Sequence, residues 1–258
     1  MPRSRQREIN GVWVREGGDP YNFDTIVIMD SQGRGPCENP QDYLSIPGIL
    51  VLSISGGTAA HVIRLMSSPL VASANFIIIG GLGTNDLGMK TAPTPAPPRV
   101  EAVAGPRGSR QLEFGAPTVD TQAPKGKYSD LLRDMKEAYR RKRVGQVFVT
   151  FSPFARRSRG PINYHINLFD NRIESFGPDH HHVKTLSYYT ARNRGNTKIY
   201  GGKRPSKDTL YEEDNVHLKR SEVDRFMYCI AETRSRLRNG SLTTGHQLIA
   251  EPRFRVKF

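Results

Sequence analysis

Four short stretches of the chain, residues 25–29, 48–54, 76–79 and 147–151, are almost wholly apolar. They are rich in β-branched or aromatic residues and do not alternate with polar ones, which is the pattern of strands buried on both faces of a parallel sheet. Helical patterns fall between and after them. Thr58 stands where it can cap a helix over 59–66, in which Val62, Ile63 and Met66 recur at helical spacing. Ser129 can cap 130–143, whose Leu131, Leu132, Met135, Ala138 and Tyr139 form one apolar stripe. Ser221, with Asp224 three residues on, opens a helix through Val223, Phe226, Met227, Ile230 and Leu237 that Asn239-Gly240 ends. Strands alternating with helices predict an α/β sheet with right-handed crossovers.

Other stretches carry no such period. Residues 1–24 read as polar and irregular, with 1–23 a basic flexible segment ahead of a domain over 24–240. Residues 90–127 are rich in Pro, Ala and Gly with little to bury, and are expected to be a flexible insertion in that domain. Residues 190–213 read as a basic loop, and 241–258 as a basic tail.

Composition narrows the picture. A chain of 258 residues with 36% apolar content suits one mid-sized α/β domain with an insertion, or two small domains. Two cysteines, Cys37 and Cys229, cannot staple a chain of this size, so a disulfide scaffold is excluded. No run approaches the roughly 18 apolar residues of a membrane span. The first residues carry charges without an apolar stretch behind them, unlike a secretory signal, so an intracellular setting is the expectation.

The net charge of +13 is unevenly placed. Residues 1–100 hold eight basic and eight acidic side chains, while 101–258 hold 30 and 17, which is the entire excess. Arg140, Arg141 and Arg143, with Arg156, Arg157 and Arg159, are the densest clusters, and Tyr188, Tyr189 and Tyr200 lie among basic residues further on. Arginine beside aromatic rings suits RNA or another polyanion. The plainer reading is solubility plus flexible tails.

In an open parallel sheet, ligands bind at the carboxyl ends of the strands. Those ends are followed here by Asp30-Ser31-Gln32-Gly33, by Ser55-Gly56-Gly57-Thr58 and by Gly83-Thr84-Asn85-Asp86, and Asp214-Asn215-Val216-His217 stands before the last helix. A serine hydroxyl is a poor nucleophile until a base takes its proton, and His217 can do so near neutral pH. Asp214 can fix the imidazole tautomer. An oxyanion formed at an acyl carbon needs preorganised donors, which the Ser31 and Gly56 amides and the Asn85 side chain can supply. Each piece alone also fits a turn or a cap; their conjunction at strand ends points to chemistry. His180-His181-His182 completes no metal-ligand spacing with His165 or the cysteines and reads as a solvated loop. Gly80 to Asp86 lacks a dinucleotide fingerprint, and Gly201-Gly202-Lys203 lacks a phosphate loop, so neither metal nor cofactor is expected.

At these residues the sequence resembles the SGNH (GDSL-type) hydrolases. Ile28-Met29-Asp30-Ser31 is similar to the block that carries the nucleophile, and Ile54-Ser55-Gly56-Gly57-Thr58 to the block with the oxyanion glycine. Gly83-Thr84-Asn85-Asp86 resembles the block whose Asn completes the oxyanion hole, and Asp214-Asn215-Val216-His217-Leu218 the block with Asp and His. The resemblance implies a flavodoxin-like three-layer α/β/α sandwich with a parallel sheet of about five strands. It also implies hydrolysis of acetyl or short-acyl esters without metal or cofactor. Met29 stands where the family usually has Gly, which is expected to tighten the nucleophile turn. The same blocks, with the basic second part, also resemble the esterase domains of LINE retrotransposon first-open-reading-frame proteins. That resemblance implies an alternative, an SGNH-like scaffold of weak activity that holds RNA.

Overall fold

The computed structural model describes residues 5–87, 128–154, 160–183, 211–213 and 217–242. The four apolar stretches are strands β3 (Phe23–Met29), β4 (Gly48–Ser53), β5 (Phe76–Ile79) and β6 (Val147–Phe151). A fifth parallel strand, β7 (His180–Val183), pairs with β6. Hydrogen-bonded neighbours run in the order β4-β3-β5-β6-β7, so the chain's second parallel strand lies outside its first. This is the flavodoxin-like doubly wound order.

Alternation within each strand explains why the runs are apolar throughout. Ile26, Ile28, Leu50, Leu52, Ile77 and Ile79 face one core, shared with α2 (Ala59–Leu65), α4 (Tyr128–Arg140) and α5 (Gly160–Arg172). Val27, Met29, Val51, Ile78 and Val149 face the other, shared with α1 (Arg34–Glu38) and α6 (Arg220–Arg238). Helices on both faces leave no position of these five parallel strands exposed, and the result is a three-layer α/β/α fold. A short helix α3 (Pro69–Ala72) precedes β5. No helix among the described residues is long and apolar enough to cross a membrane.

Several expectations need correction. Part of the stretch read as irregular is a hairpin, β1 (Arg5–Ile9) and β2 (Val12–Gly17), laid antiparallel on β4, so the sheet has seven strands and is mixed. Asn10 (φ 49°) and Gly11 (φ 73°) make a two-residue turn in the left-handed region, where Asn-Gly is favoured. Val12 and Val14 are buried while Trp13 between them is exposed, a half-buried alternation.

His180-His181-His182 is not a solvated loop but most of β7, with His180 and His182 buried. Residues 160–172, which show little amphipathic period, are helical. The last helix begins at Arg220 with Lys219 as its cap and not at Ser221, and the Asp224 carboxylate instead accepts from the backbone N–H of Leu44 at 2.9 Å. Gly240 (φ 65°) does end it. Helix α4 stops at Arg140, three residues short of the expected 143. The insertion read at 90–127 and nearly all of the loop at 190–213 and the tail at 241–258 lie outside the described residues.

Candidate active site

The site begins where β3 leaves the sheet. Met29, the last residue of the strand, has no exposed surface, and its carbonyl accepts from Ile54 N at 2.9 Å, the first bond beyond the β3–β4 ladder. The chain then turns at Asp30, whose carboxylate accepts from Gln32 N at 3.0 Å while its carbonyl accepts from Gly33 N (3.1 Å) and Ser53 Oγ (3.0 Å). Four partners thus clamp the turn that presents Ser31. The Met29 side chain is accommodated by its neighbours. A Cβ at Gly33 would sit 2.9 Å from Met29 Cβ, and one at Gly80 would sit 2.9 Å from Met29 Cγ. Two neighbouring glycines, Gly33 and Gly80, make the room that Met29 fills.

Ser31 is half-buried, and its Oγ lies 3.0 Å from His217 Nε2 across 186 residues of sequence. That is hydrogen-bond distance between a nucleophile and a base. The histidine is held by its own backbone. Its carbonyl accepts from Glu212 N at 2.8 Å, and Leu218 beside it forms a bridge with Tyr211. The Leu218 N–H donates to Gln32 Oε1 at 2.9 Å. Asp214, expected to orient the imidazole, lies outside the described residues.

The loops after β4 and β5 meet the same edge. Gly56 is exposed with φ 64° and nothing within 4 Å of where a Cβ would stand, so its backbone borders open space. Only glycine adopts that conformation at little cost. Gly57 packs so close that a Cβ there would be 3.2 Å from Asp30 Cα. Asn85 Nδ2 donates to the Gly57 carbonyl at 3.0 Å, which fixes the carboxamide beside the glycine pair. The structure therefore gathers Ser31, Gly56, Asn85 and His217 onto neighbouring loops.

Two further residues hold this edge, and sequence reasoning assigned neither a role. Asp86 accepts from Ala59 N at 3.0 and 3.2 Å, which joins the β5 loop to the start of α2, and desolvation pushes its carboxyl up to about 6. Thr84 Oγ1 donates to the Phe154 carbonyl, and Phe154 N donates to Gly81 O at 3.0 Å, so the loops after β5 and β6 are joined twice. Turn composition hinted at Asp86; nothing in the sequence marks the partner of Thr84, 70 residues away.

The basic residues named as polyanion contacts are placed elsewhere or not described. Arg140 and Arg141 are 3.9 and 3.0 Å from the Glu137 carboxylate at the end of α4, and Arg143 Nη1 donates to Ala72 O at 3.0 Å. Arg156, Arg157 and Arg159 lie outside the described residues. Cys37 and Cys229 are buried free thiols, each pushed up to about 12 chiefly by desolvation. Neither is a thiolate nucleophile at neutral pH.

No protein-family model matches the chain, and no curated protein matches it. Solved structures do. A protein of Streptococcus pneumonia, provisionally described as a platelet activating factor, superposes with TM-score 0.51 at 12% identity, over 82% of this chain and 84% of that one. A provisionally described acylhydrolase of Bacteroides fragilis gives TM-score 0.42 at 13% identity, over 84% of this chain and 88% of that one. The first likeness bears on the fold, and at that identity on the fold alone; the second is too distant to argue from. Neither bears on RNA or on a retrotransposon origin.

Proposed function

We propose that the protein is a serine hydrolase of the SGNH type acting on carboxylic esters with a short acyl group. The observation that carries this reading is the 3.0 Å contact between Ser31 Oγ and His217 Nε2 at the carboxyl edge of a doubly wound parallel sheet. Fold alone would not suffice, because one fold hosts many activities. The fold likeness to a protein provisionally described as a platelet activating factor is compatible with the reading.

In this mechanism His217 Nε2 accepts the Ser31 proton as Oγ attacks the acyl carbon. The carbonyl oxygen becomes an oxyanion, stabilised by the Ser31 and Gly56 backbone amides and the Asn85 carboxamide. The imidazolium then donates its proton to the departing alkoxide, the C–O bond breaks, and an acyl-serine remains. Water, deprotonated by His217, attacks that ester; Ser31 regains its proton and the carboxylic acid leaves. Asp214, three residues before His217 in the sequence, is assigned the role of fixing the imidazole tautomer and stabilising the imidazolium.

Hydrolysis of p-nitrophenyl acetate by wild type and Ser31→Ala tests the assignment. The variant is expected to lose at least about 10⁴-fold in kcat with an unchanged circular dichroism spectrum, since Ser31 lies on a half-buried turn. A variant as fast as wild type would overturn it.

A further inference from the structure

The residue after the nucleophile and the residue after the base are joined to each other. Ser31 meets His217 at 3.0 Å, and Gln32 Oε1 accepts from Leu218 N at 2.9 Å. The acceptor's identity is fixed by chemistry, since a backbone N–H can bond only the oxygen of the carboxamide. The two bonds are parallel rungs between a turn at one end of the chain and a loop 186 residues on.

These rungs differ in environment. Ser31 and His217 are half-buried, where water competes for every donor and acceptor. Gln32 and Leu218 are 6% and 5% exposed, so their bond lies in a lower local dielectric and is the stronger restraint. Gln32 is also a rigid anchor. The Asp30 carboxylate holds its N–H at 3.0 Å, and the Asp30 carbonyl holds the next N–H at 3.1 Å. On the far side, the His217 carbonyl accepts from Glu212 N, so the peptide between His217 and Leu218 is gripped at both ends. With that peptide fixed, the imidazole has little left to vary except its own side-chain torsions.

We infer that Gln32 is a positioning residue that sets the distance between base and nucleophile by tethering the His217-Leu218 peptide to the nucleophile turn. The inference rests on the reading of Ser31 and His217 as nucleophile and base. Length and an acceptor oxygen both matter. A shorter amide falls short of Leu218, and an apolar side chain leaves a buried N–H without its acceptor.

The test measures p-nitrophenyl acetate turnover, melting temperature and hydrogen exchange of the Leu218 amide in wild type, Ser31→Ala, Gln32→Met and Gln32→Glu. Gln32→Met is expected to lower kcat about 10- to 100-fold, as ångström-scale misplacement does, with KM changed by less than about threefold because substrate binding is not touched. The Leu218 amide should be protected in wild type and exposed in Gln32→Met. Gln32→Glu, which keeps an acceptor at the same reach, should restore that protection and most of kcat above pH 8. A folded Gln32→Met with wild-type kcat, while Ser31→Ala is inactive, overturns the tether and leaves the site standing. A Leu218 amide that exchanges in wild type at the rate of an open loop overturns it without any variant. Equal rates for wild type and Ser31→Ala overturn the reading of the site, before Gln32 is altered.

Discussion

Two hydroxyl–imidazole contacts among the described residues have nearly equal geometry and opposite surroundings. At one edge loop Ser31 Oγ lies 3.0 Å from His217 Nε2; inside the sheet Thr150 Oγ1 lies 2.9 Å from His182 Nδ1, whose Nε2 is 3.2 Å from the Asp170 carboxylate. The second even has its carboxylate in place, and His180 Nε2 meets the same threonine at 3.1 Å. Among the described residues it has, by residue type and distance, all the members of a triad. Yet Thr150 is 1% exposed and His182 3%, on adjacent strands beneath α5, whereas Ser31 and His217 are half-exposed on loops. No substrate carbonyl reaches Thr150. The difference teaches that a hydroxyl, a base and a distance make a hydrogen bond, and that position at the strand ends makes it a site.

The inner pair instead solves a burial problem. Two histidines in the core of a sheet must have their ring nitrogens satisfied. Thr150 serves one nitrogen on each ring, Asp170 a second on His182, and His180 Nδ1 accepts from Phe176 N at 3.0 Å. Burial pushes the His180 imidazole down to about 3, so it stays neutral.

Exchanging the roles of these pairs should fail in a graded way. His217→Gln should lose at least about 10⁴ of kcat toward p-nitrophenyl acetate, while Asp170→Asn, which touches the inner pair, should leave the rate per folded molecule within about twofold. Thr150→Val strips two buried ring nitrogens of a partner and should destabilise by about 1–3 kcal/mol in urea unfolding, with kcat retained. Gly56→Ala introduces a side chain at φ 64°; a cost of about 1–2 kcal/mol in stability is expected, with a fall in kcat because relief of that strain would turn the Gly56 amide away from its proposed place in the oxyanion hole.

The net pH response of the wild type is the smallest effect, because the two groups shifted furthest in the acid range have opposite signs. His180 titrates at about 3 folded against 6.5 unfolded, so its contribution is complete above about 6.5 and is lost as pH falls toward 3. Asp86 titrates at about 6 folded against 3.8 unfolded, so its contribution is present below about 4 and is lost as pH rises to about 6. Between pH 4 and 6 they offset. Replacing one exposes the other: Asp86→Asn should steepen the loss of stability on acidification by up to about 1.4 kcal/mol per pH unit, and His180→Gln should reverse the slope. Urea titrations at pH 4, 5, 6 and 7 read both.

What was legible in the sequence follows from the same physics. The inner strands announce themselves because both faces are buried, so Ile26 to Met29 and Phe76 to Ile79 are apolar at every position. The loops that carry Ser31, Gly56, Asn85 and His217 could be read because each follows such a strand or precedes the last helix. The hairpin is hard to read although Asn10-Gly11 marks its turn, because charged residues on β1 mask the alternation of Val12 and Val14. Strand β7 is hard to read because three of its four residues are histidines. Histidine enters a core only with Thr150 and Asp170 to satisfy it, and those lie 30 and 12 residues away. Gln32 leaves no trace, since its partner is a backbone amide, which every residue but proline has.

The most direct measurement of the central claim treats the folded protein with a fluorophosphonate and maps the adduct by mass spectrometry. Both hydroxyls are then offered the same electrophile in one molecule. The account requires a single adduct on Ser31, none on Thr150, and labelling that collapses in His217→Gln but persists in Asp170→Asn. An adduct at another residue, or Ser31 labelling indifferent to His217, would contradict it.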